Sequence, residues 1–496
     1  MARQRSLPAR PSLRYLKLEA KSRLHSGEFP VLHLAQLAIA REHGQPSWAA
    51  LKRLVGAGHG TDSHVLGHLK WVISRFGGAA EPGWEAPGEA EIRDHFTDEF
   101  LSQFPPADVI AALSRLAPEL RKELTVYGAT PLHARVRLGG LDIVAICDPM
   151  PPHLVGGAQI FPAGSRIADS RTAEPGIRAT GPVPAGAAGT ARTALADLGL
   201  PGLLLGGAGM DTPPWTIATG WADLDRGEVL QTSHRFPVYQ LTTLVTATAV
   251  LRLVADGRAG LDDPANGYLR TVRLADDTIT IRELLGHTAG VSASPDRFTD
   301  MIPDLAAVTG PVIACAGRRG VFQVSEAGYA ALGQLAADLT GEAFPEAAAR
   351  LVLRPLGMTS SSFPARWPID NAITGYTVTA DGSFAPAPAA VAALTAAAGL
   401  WSTGDDLVRF GLGWSSLLPR QLARQALTPH AERGSMPGHI GFGWVINEAS
   451  GVCGIGGQGP GAAASLLAPI GTGEIRVALT NRPALIESVN ALGLRS

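Results

Sequence analysis

The chain has 496 residues, and at about 150 residues per domain that length predicts two to four domains rather than one. Lys+Arg of 42 against Asp+Glu of 44 gives a net charge of −2, which excludes the basic surplus of a general nucleic-acid binder. Hydrophobic content of 46% with 17% charged residues provides for buried cores and excludes a broadly disordered chain. A sharper exclusion lies inside the basic total: Lys17, Lys21, Lys52, Lys70 and Lys122 are the only lysines, so no mechanism can draw on a lysine after residue 122.

Cys147, Cys315 and Cys453 are too few and too scattered for a disulfide framework or a Cys-rich zinc site, and they read as small buried hydrophobes. Residues 1–24 carry Arg3, Arg5, Arg10 and Arg14 but no apolar stretch of the kind a secretory signal needs. No apolar run reaches the roughly 20 residues of a membrane span. These features predict a soluble, cytoplasmic protein without a nucleic-acid or membrane partner. No cofactor is expected, and no His or carboxylate pair has metal-ligand spacing.

In residues 1–58, Leu13, Leu16 and Leu18, then Leu32, Leu34, Leu37 and Ile39, recur at spacings that a helix places on one face. This segment resembles the short helical leader ahead of ankyrin arrays in some bacterial proteins, although no repeat of about 33 residues follows it. A helical docking segment is expected, with a protein partner as the functional alternative. Residues 59–88 read as a Gly- and Pro-rich connector around a short helical stretch, 66–76. Across 89–168, Phe96, Phe100, Leu101, Val109, Ile110, Leu113 and Leu116 fit two helices. Three β-like runs follow: LHARVRL (132–138), LDIVAIC (141–147) and LVGGAQIFP (154–162). Helices followed by a small meander predict an α+β domain. That order resembles the cystatin/NTF2-like accessory domain of the clavulanic-acid-cluster family, and it implies either a structural or a small-molecule-binding role.

Residues 169–192 are Pro-, Gly- and Ala-rich and read as a linker. The remainder, 193–496, begins with strand-like LPGLLLGG and WTIATGWAD, has a long helix near 240–256, and ends with GFGWVIN, ASLLAPI and EIRVALTN. Such an order predicts a sheet assembled from both ends of the domain. GGAGMD (206–211) has no βαβ context and reads as a hairpin turn rather than a dinucleotide loop. In LLGHTAG, Gly290 suits the left-handed residue that ends a helix. His287 beside it reads as a satisfied structural residue, with catalysis as its alternative. Ser402, Thr403 and Asp405 read as an N-cap cluster for the helix that follows.

HRFPVYQLTTLVTATAVLRLVADGRAGLDDPANGYL (234–269) and ITIRELLGHTAGV (279–291) are followed in order by PLGMTSSSF (355–363), Gly375-Tyr376, GLWSTGDDLVRF (399–410), GFGW (441–444) and LTNR (479–482). This succession resembles the serine β-lactamase, penicillin-binding protein and esterase family, and its class C-like branch in particular. The fold class expected is therefore α+β multidomain: a β-lactamase-like domain with an antiparallel sheet flanked by helices, preceded by the small α+β domain and the helical segment.

The resemblance implies a Ser-x-x-Lys pair, a Tyr-x-Asn or Ser-x-Asn element, and a Lys-Thr-Gly or His-x-Gly edge strand. The Ser-x-x-Lys spacing puts nucleophile and lysine on one helix face. In this chain the serine position falls on Gln240 and the lysine position on Thr243. The tyrosine position falls on Val324, with Ser325 next and Glu326 at the asparagine position. Ile455 takes the His or Lys position, with Gly456 and Gly457 following. An amide is not a useful nucleophile, and a threonine hydroxyl is not a base near neutral pH.

Three readings follow. A pseudoenzyme would hold a small molecule in the former cleft without an acyl-enzyme. A repurposed enzyme would use Glu326 and Tyr239 for acid–base chemistry such as isomerisation, cyclisation or elimination. In that case an apolar surround of Val324 and Ile455 would make the Glu326 carboxyl hold its proton more tightly. A serine hydrolase would need an unrecognised nucleophile such as Ser325.

Overall fold

Four antiparallel strands, β1 (Leu124–Ala129), β2 (His133–Leu138), β3 (Leu141–Cys147) and β4 (Val155–Pro162), form a meander in the N-terminal part of the chain. Alternation sends Ala134, Val136 and Leu138 of β2, and Ile143, Ala145 and Cys147 of β3, into one core. Helix α1 (His64–Phe76) covers that core with Val65, Leu66, Val72 and Phe76. Its first turn is capped by Ser63, whose hydroxyl accepts from the Leu66 amide. Three shorter helices, α2 (Glu89–Arg93), α3 (Pro106–Arg115) and α4 (Ala117–Leu120), add Ile92, Val109 and Leu120 to the same core. The computed structural model describes residue 39 and, with short interruptions, residues 63–162 and 176–483. The helical leader expected over 1–58 lies, apart from Ile39, outside the described residues.

Two expectations change in this region. The helical stretch expected at 66–76 is present as α1, but it is part of the core rather than of a connector, since its apolar face packs there. Strand β1 is additional to the three strands the sequence predicts. Its apolar alternation is brief, and the ladder shifts register between Val126 and Gly128. Cys147 and Cys453 are buried and Cys315 is half-buried.

The chain divides after Ala163 into two compact units. In the second, residues 169–192 differ from the expected linker. They include β5 (Arg178–Thr180), which pairs with the main sheet, and the start of α5 (Ala187–Leu198). Ala187, Ala191 and Ala194 give α5 a small-residue face that packs against Leu203, Leu205 and Ile217. Those residues lie on β6 (Gly202–Ala208) and β7 (Trp215–Asp223), joined by the hairpin turn expected at 206–211, where the Gly209 amide donates to the Thr212 carbonyl at 2.8 Å. Every residue of β6 is buried, because Leu204 points to the opposite face and enters the larger core.

The main sheet is antiparallel and ten-stranded. It runs from Ala431–Glu432 and His439–Ile440 through β8 (Val445–Asn447), β9 (Val452–Gly459), β10 (Ala462–Pro469) and β11 (Ile475–Thr480) to β6, β7 and β5, with Glu228–Val229 pairing to β7. The pairing of β11 with β6 closes the two ends of the unit into one sheet, as expected. Helices α6 (Thr242–Ala255), α7 (Ile281–Leu285), α8 (Glu326–Thr340), α9 (Thr395–Ala398) and α10 (Gly404–Gly413) carry residues of the core on the Leu204 face. Among the described residues no helix is long and apolar enough to cross a membrane.

Polar side chains tie these helices together. The Thr246 hydroxyl donates to the Ala396 carbonyl at 2.6 Å, and the Thr242 hydroxyl accepts from the Leu400 amide at 3.1 Å, so α6 grips the α9 segment. Thr403 caps α10 by accepting from the Asp406 amide. Of the other two residues expected in that cap, Asp405 instead accepts from the Thr216 hydroxyl at 2.7 Å, and Ser402 meets Ser361 at 2.8 Å. Asp406, fully buried, accepts from the Ser360 amide and the Ser361 hydroxyl at 2.8 Å each, and from Arg409 at 2.7 Å. Replacing Asp406 with Ala leaves the buried Ser361 hydroxyl and the Ser360 amide without this acceptor, while the half-exposed Arg409 guanidinium can turn to water. Urea denaturation should show a loss of about 3 kcal/mol, against less than about 0.5 kcal/mol for an exposed polar control.

Helix α7 begins with a capping box, Thr280 and Glu283. It ends at Leu285, capped by Gly286, so Gly290 is not its terminator. Gly290 sits in the turn beyond at φ 65°, where a Cβ would lie 2.6 Å from the Gly317 carbonyl oxygen. His287 follows the helix end and joins it to the start of α8. Its Nδ1 accepts from the Ser325 amide at 3.1 Å, and its ring stacks on Tyr329 at 4.6 Å. Burial, and secondarily the charge of Arg433, lower its pKa to about 4. The unfolded chain therefore binds a proton near pH 6.5 that the native unit refuses until about pH 4. Stability is full above pH 6.5 and falls as the pH drops from there towards 4, by about 3 kcal/mol in all. His287→Gln should flatten that slope in denaturation curves recorded between pH 7 and 4; an unchanged slope would contradict the assignment.

Candidate active-site cleft

The chain enters α6 through a 3-10 turn, Tyr239–Leu241, with Tyr239 in the left-handed region at φ 46°. Strand β9 lies directly on this turn because two of its residues lack side chains. A Cβ at Gly457 would sit 2.7 Å from the Gln240 nitrogen and the Val238 oxygen, and one at Gly459 would sit 2.4 Å from the Tyr239 ring. The approach delivers the Gln458 backbone amide to Gln240, where it donates to Oε1 at 3.1 Å. On the other side, Gln240 Nε2 donates to Glu326 Oε1 at 3.3 Å. A backbone N–H only donates and a carboxylate accepts, so these two neighbours fix which way the Gln240 amide faces.

Glu326 is the first residue of α8, directly after the N-cap Ser325, where the helix dipole favours a negative charge. Tyr239, Gln240, Glu326 and Gln458 line a cleft of about 230 Å³, completed by Phe298 and the apolar segment at Ala392, Leu394 and Ala398. A separate cavity of about 290 Å³ lies between α10 and strands β9 to β11, lined by Trp414, Trp444 and Cys453, and holds none of the sequence-predicted site residues.

The other predicted positions fall elsewhere. The Thr243 hydroxyl is buried and donates to the Gln240 carbonyl at 2.7 Å, so it serves the local turn. Val324 is 55% exposed and Ile455 stands across the ladder from Leu466, with neither lining the cleft. The apolar surround expected for Glu326 is therefore absent from these two positions, because Val324 lies outside α8 and faces water. Gly456 pairs across the ladder with Ser465, and Gly457 makes the close approach described above. The Tyr239 ring lines the cleft edge-to-face with Phe298 at 5.9 Å, but its hydroxyl donates to the Pro460 carbonyl at 2.7 Å. Burial pushes that phenol far above its ordinary value of 10, so it does not exchange a proton near neutral pH. Ser325 is buried, its hydroxyl accepts from the Gly328 amide at 3.0 Å as the helix cap, and it does not line the cleft.

Of the cleft residues that sequence reasoning missed, Gln458 and Phe298 bear most directly on the site. Gln458 contributes its backbone N–H, which its residue type does not advertise; its only signal is its place directly after Gly456-Gly457. Phe298 arrives through the pairing of Phe298–Thr299 with Val391–Ala392, a long-range bridge with no local signature.

Residues 187–493 match the Beta-lactamase family. The chain is 26% identical over 146 residues to the putative penicillin-binding protein PbpX of Bacillus subtilis, covering 29% of this chain and 37% of that protein. It is 31% identical over 174 residues to esterase EstB of Burkholderia gladioli, covering 30% of this chain and 44% of that protein. The matched stretches thus span less than half the length of these curated relatives. Among solved structures, a penicillin binding protein from Bacillus halodurans superposes with a TM-score of 0.52 at 23% identity, over 61% of this chain and 97% of that one. A D-stereospecific amidohydrolase from Streptomyces sp. gives 0.51 at 21% identity, over 62% and 98%. With most of the chain matched and the same architecture in those structures, this protein belongs to the Beta-lactamase family, that of the serine β-lactamases, penicillin-binding proteins and esterases.

Proposed function

We propose that the second unit is a pseudoenzyme that binds a small molecule in the Gln240–Glu326–Gln458 cleft without forming an acyl-enzyme. The observation that carries this reading is the Gln240 amide bridge. Acyl transfer needs a nucleophile with a base beside it, and a backbone donor for the developing oxyanion. The Gln458 N–H is such a donor, and it is engaged by the protein's own amide oxygen. Gln240 offers no nucleophile, the Thr243 hydroxyl is turned onto a backbone carbonyl, and no lysine follows Lys122. The relatives are named for penicillin binding and ester hydrolysis; the residues at 240 and 243 are what support binding without acylation here.

A second reading, acid–base catalysis without an acyl-enzyme, draws on the place of the Glu326 carboxylate in the cleft lining. Tyr239 does not join it, because its hydroxyl is held by Pro460. If that reading is right, Glu326→Gln abolishes turnover of the true substrate while the fold persists.

The full chain should keep its intact mass after incubation with benzylpenicillin or a fluorophosphonate. It should leave nitrocefin and p-nitrophenyl acetate unhydrolysed above the buffer rate. A stoichiometric adduct within 187–493, or hydrolysis abolished by Ser325→Ala, would sink the proposal.

A further inference from the structure

We infer that the Gln240 carboxamide is an internal ligand of the cleft, and that the class of molecule it stands in for is a primary carboxamide, which binds by displacing it. The inference rests on non-covalent binding in the cleft. It adds the group that is recognised and the side chain that competes for its place.

Gln240 is half-buried and lines the cleft together with its two partners, Glu326 and Gln458. Its side-chain oxygen accepts from the Gln458 backbone N–H at 3.1 Å, and its NH2 donates to Glu326 Oε1 at 3.3 Å. One donor and one acceptor thus face the two ends of a single planar group, set apart by the width of a carboxamide. A ketone satisfies the N–H and has no proton to offer Oε1. A primary carboxamide satisfies both, and the protein shows this fit with its own side chain.

The backbone that carries these groups is held by other contacts. The Thr243 hydroxyl donates to the Gln240 carbonyl at 2.7 Å, and the Leu241 amide donates to the Val238 carbonyl at 3.1 Å, which closes the turn. The approach of β9 follows from Gly457 and Gly459. Rotation of the Gln240 side chain therefore frees a donor and an acceptor while the walls stay in place. Only the rotated state can take a ligand at this pair, so its low population weakens the apparent affinity of the wild-type protein. Beside the pair, Tyr239 and Phe298 meet edge-to-face at 5.9 Å and Leu394 lines the same space, so an aromatic body attached to the carboxamide has apolar surface to cover.

The test titrates two probes calorimetrically into the full-length protein: benzamide, and acetophenone, in which a methyl group replaces the NH2. Each is compared between wild type and Gln240→Ala, which removes the competing group. Benzamide should bind the variant at least about tenfold more tightly than it binds wild type, and more tightly than acetophenone binds the variant. Hydrogen exchange at the Gln458 amide gives a second readout: slow in wild type, faster in the variant, and slowed again by benzamide. Gln240→Ser, also too short to bridge the two partners, should behave alike. Equal affinity of benzamide for wild type and variants would overturn the inference. So would acetophenone binding as tightly as benzamide, or no benzamide binding to the variants at millimolar concentration. Failure of both variants to fold would overturn it as well, because the side chain would then belong to the frame. None of these outcomes alters the intact mass after acylating probes, so failure here is separable from failure of the pseudoenzyme reading.

Discussion

The cleft depends on one close approach, that of strand β9 to the turn Tyr239–Leu241. It exists because Gly457 and Gly459 carry no side chain where a methyl group would meet the Gln240 nitrogen and the Tyr239 ring. Given that approach, the Gln458 N–H reaches Gln240, the Tyr239 hydroxyl reaches Pro460, and the side chain of Gln240 turns towards α8. A bulkier residue at either glycine would push the strand from the turn and open all three contacts together. The chemistry of the site is thus conditional on a backbone fit in which the side chains at 457 and 459 take part by being absent.

Around that contact stands a frame that does not require a reactive centre. Thr242 and Thr246 fasten α6 to the α9 segment, Asp406 gathers a backbone amide, a hydroxyl and a guanidinium, and His287 links α7 to α8. Each buries a polar group with its partner supplied, and leaving that partner unmatched is where the energetic penalty would fall. The motifs LLGHTAG, PLGMTSSSF and GLWSTGDDLVRF are read most directly through these bonds. They describe how helices dock, and a chain can keep them whatever stands at Gln240, Thr243 or Glu326.

This division explains what the sequence disclosed. The fold of the second unit was legible because many separated motifs occur in order, some with a local physical cause, such as the cap at Thr403 and the left-handed glycine at 290. Strand β5 and helix α5 were not, since Ala- and Gly-rich composition reads as a linker until the sheet edge and the small face of α5 are seen together. At the site, Gln240 and Glu326 were legible as substitutions, and the structure brings them within a hydrogen bond of each other. Phe298 and the amide of Gln458 were not, because one arrives by long-range pairing and the other acts through its backbone. Val324 misled because its place in the motif says nothing about the direction in which it points.

Charge connects the composition to the site. The serine chemistry that the family resemblance implies relies on a lysine whose amine takes up the nucleophile's proton and returns it. A unit without lysine cannot build that relay, and Arg is no substitute, since its guanidinium does not give up a proton near neutral pH. Gln240 and Glu326 stand where the resemblance implies a serine and an asparagine, and the Gln240 amide donates to the Glu326 carboxylate. Nucleophile and base therefore belong to one constraint: without a lysine in this unit, a serine at 240 would have no such partner to activate it. The frame can persist through such an exchange because its stability is carried by bonds that do not pass through the reacting groups.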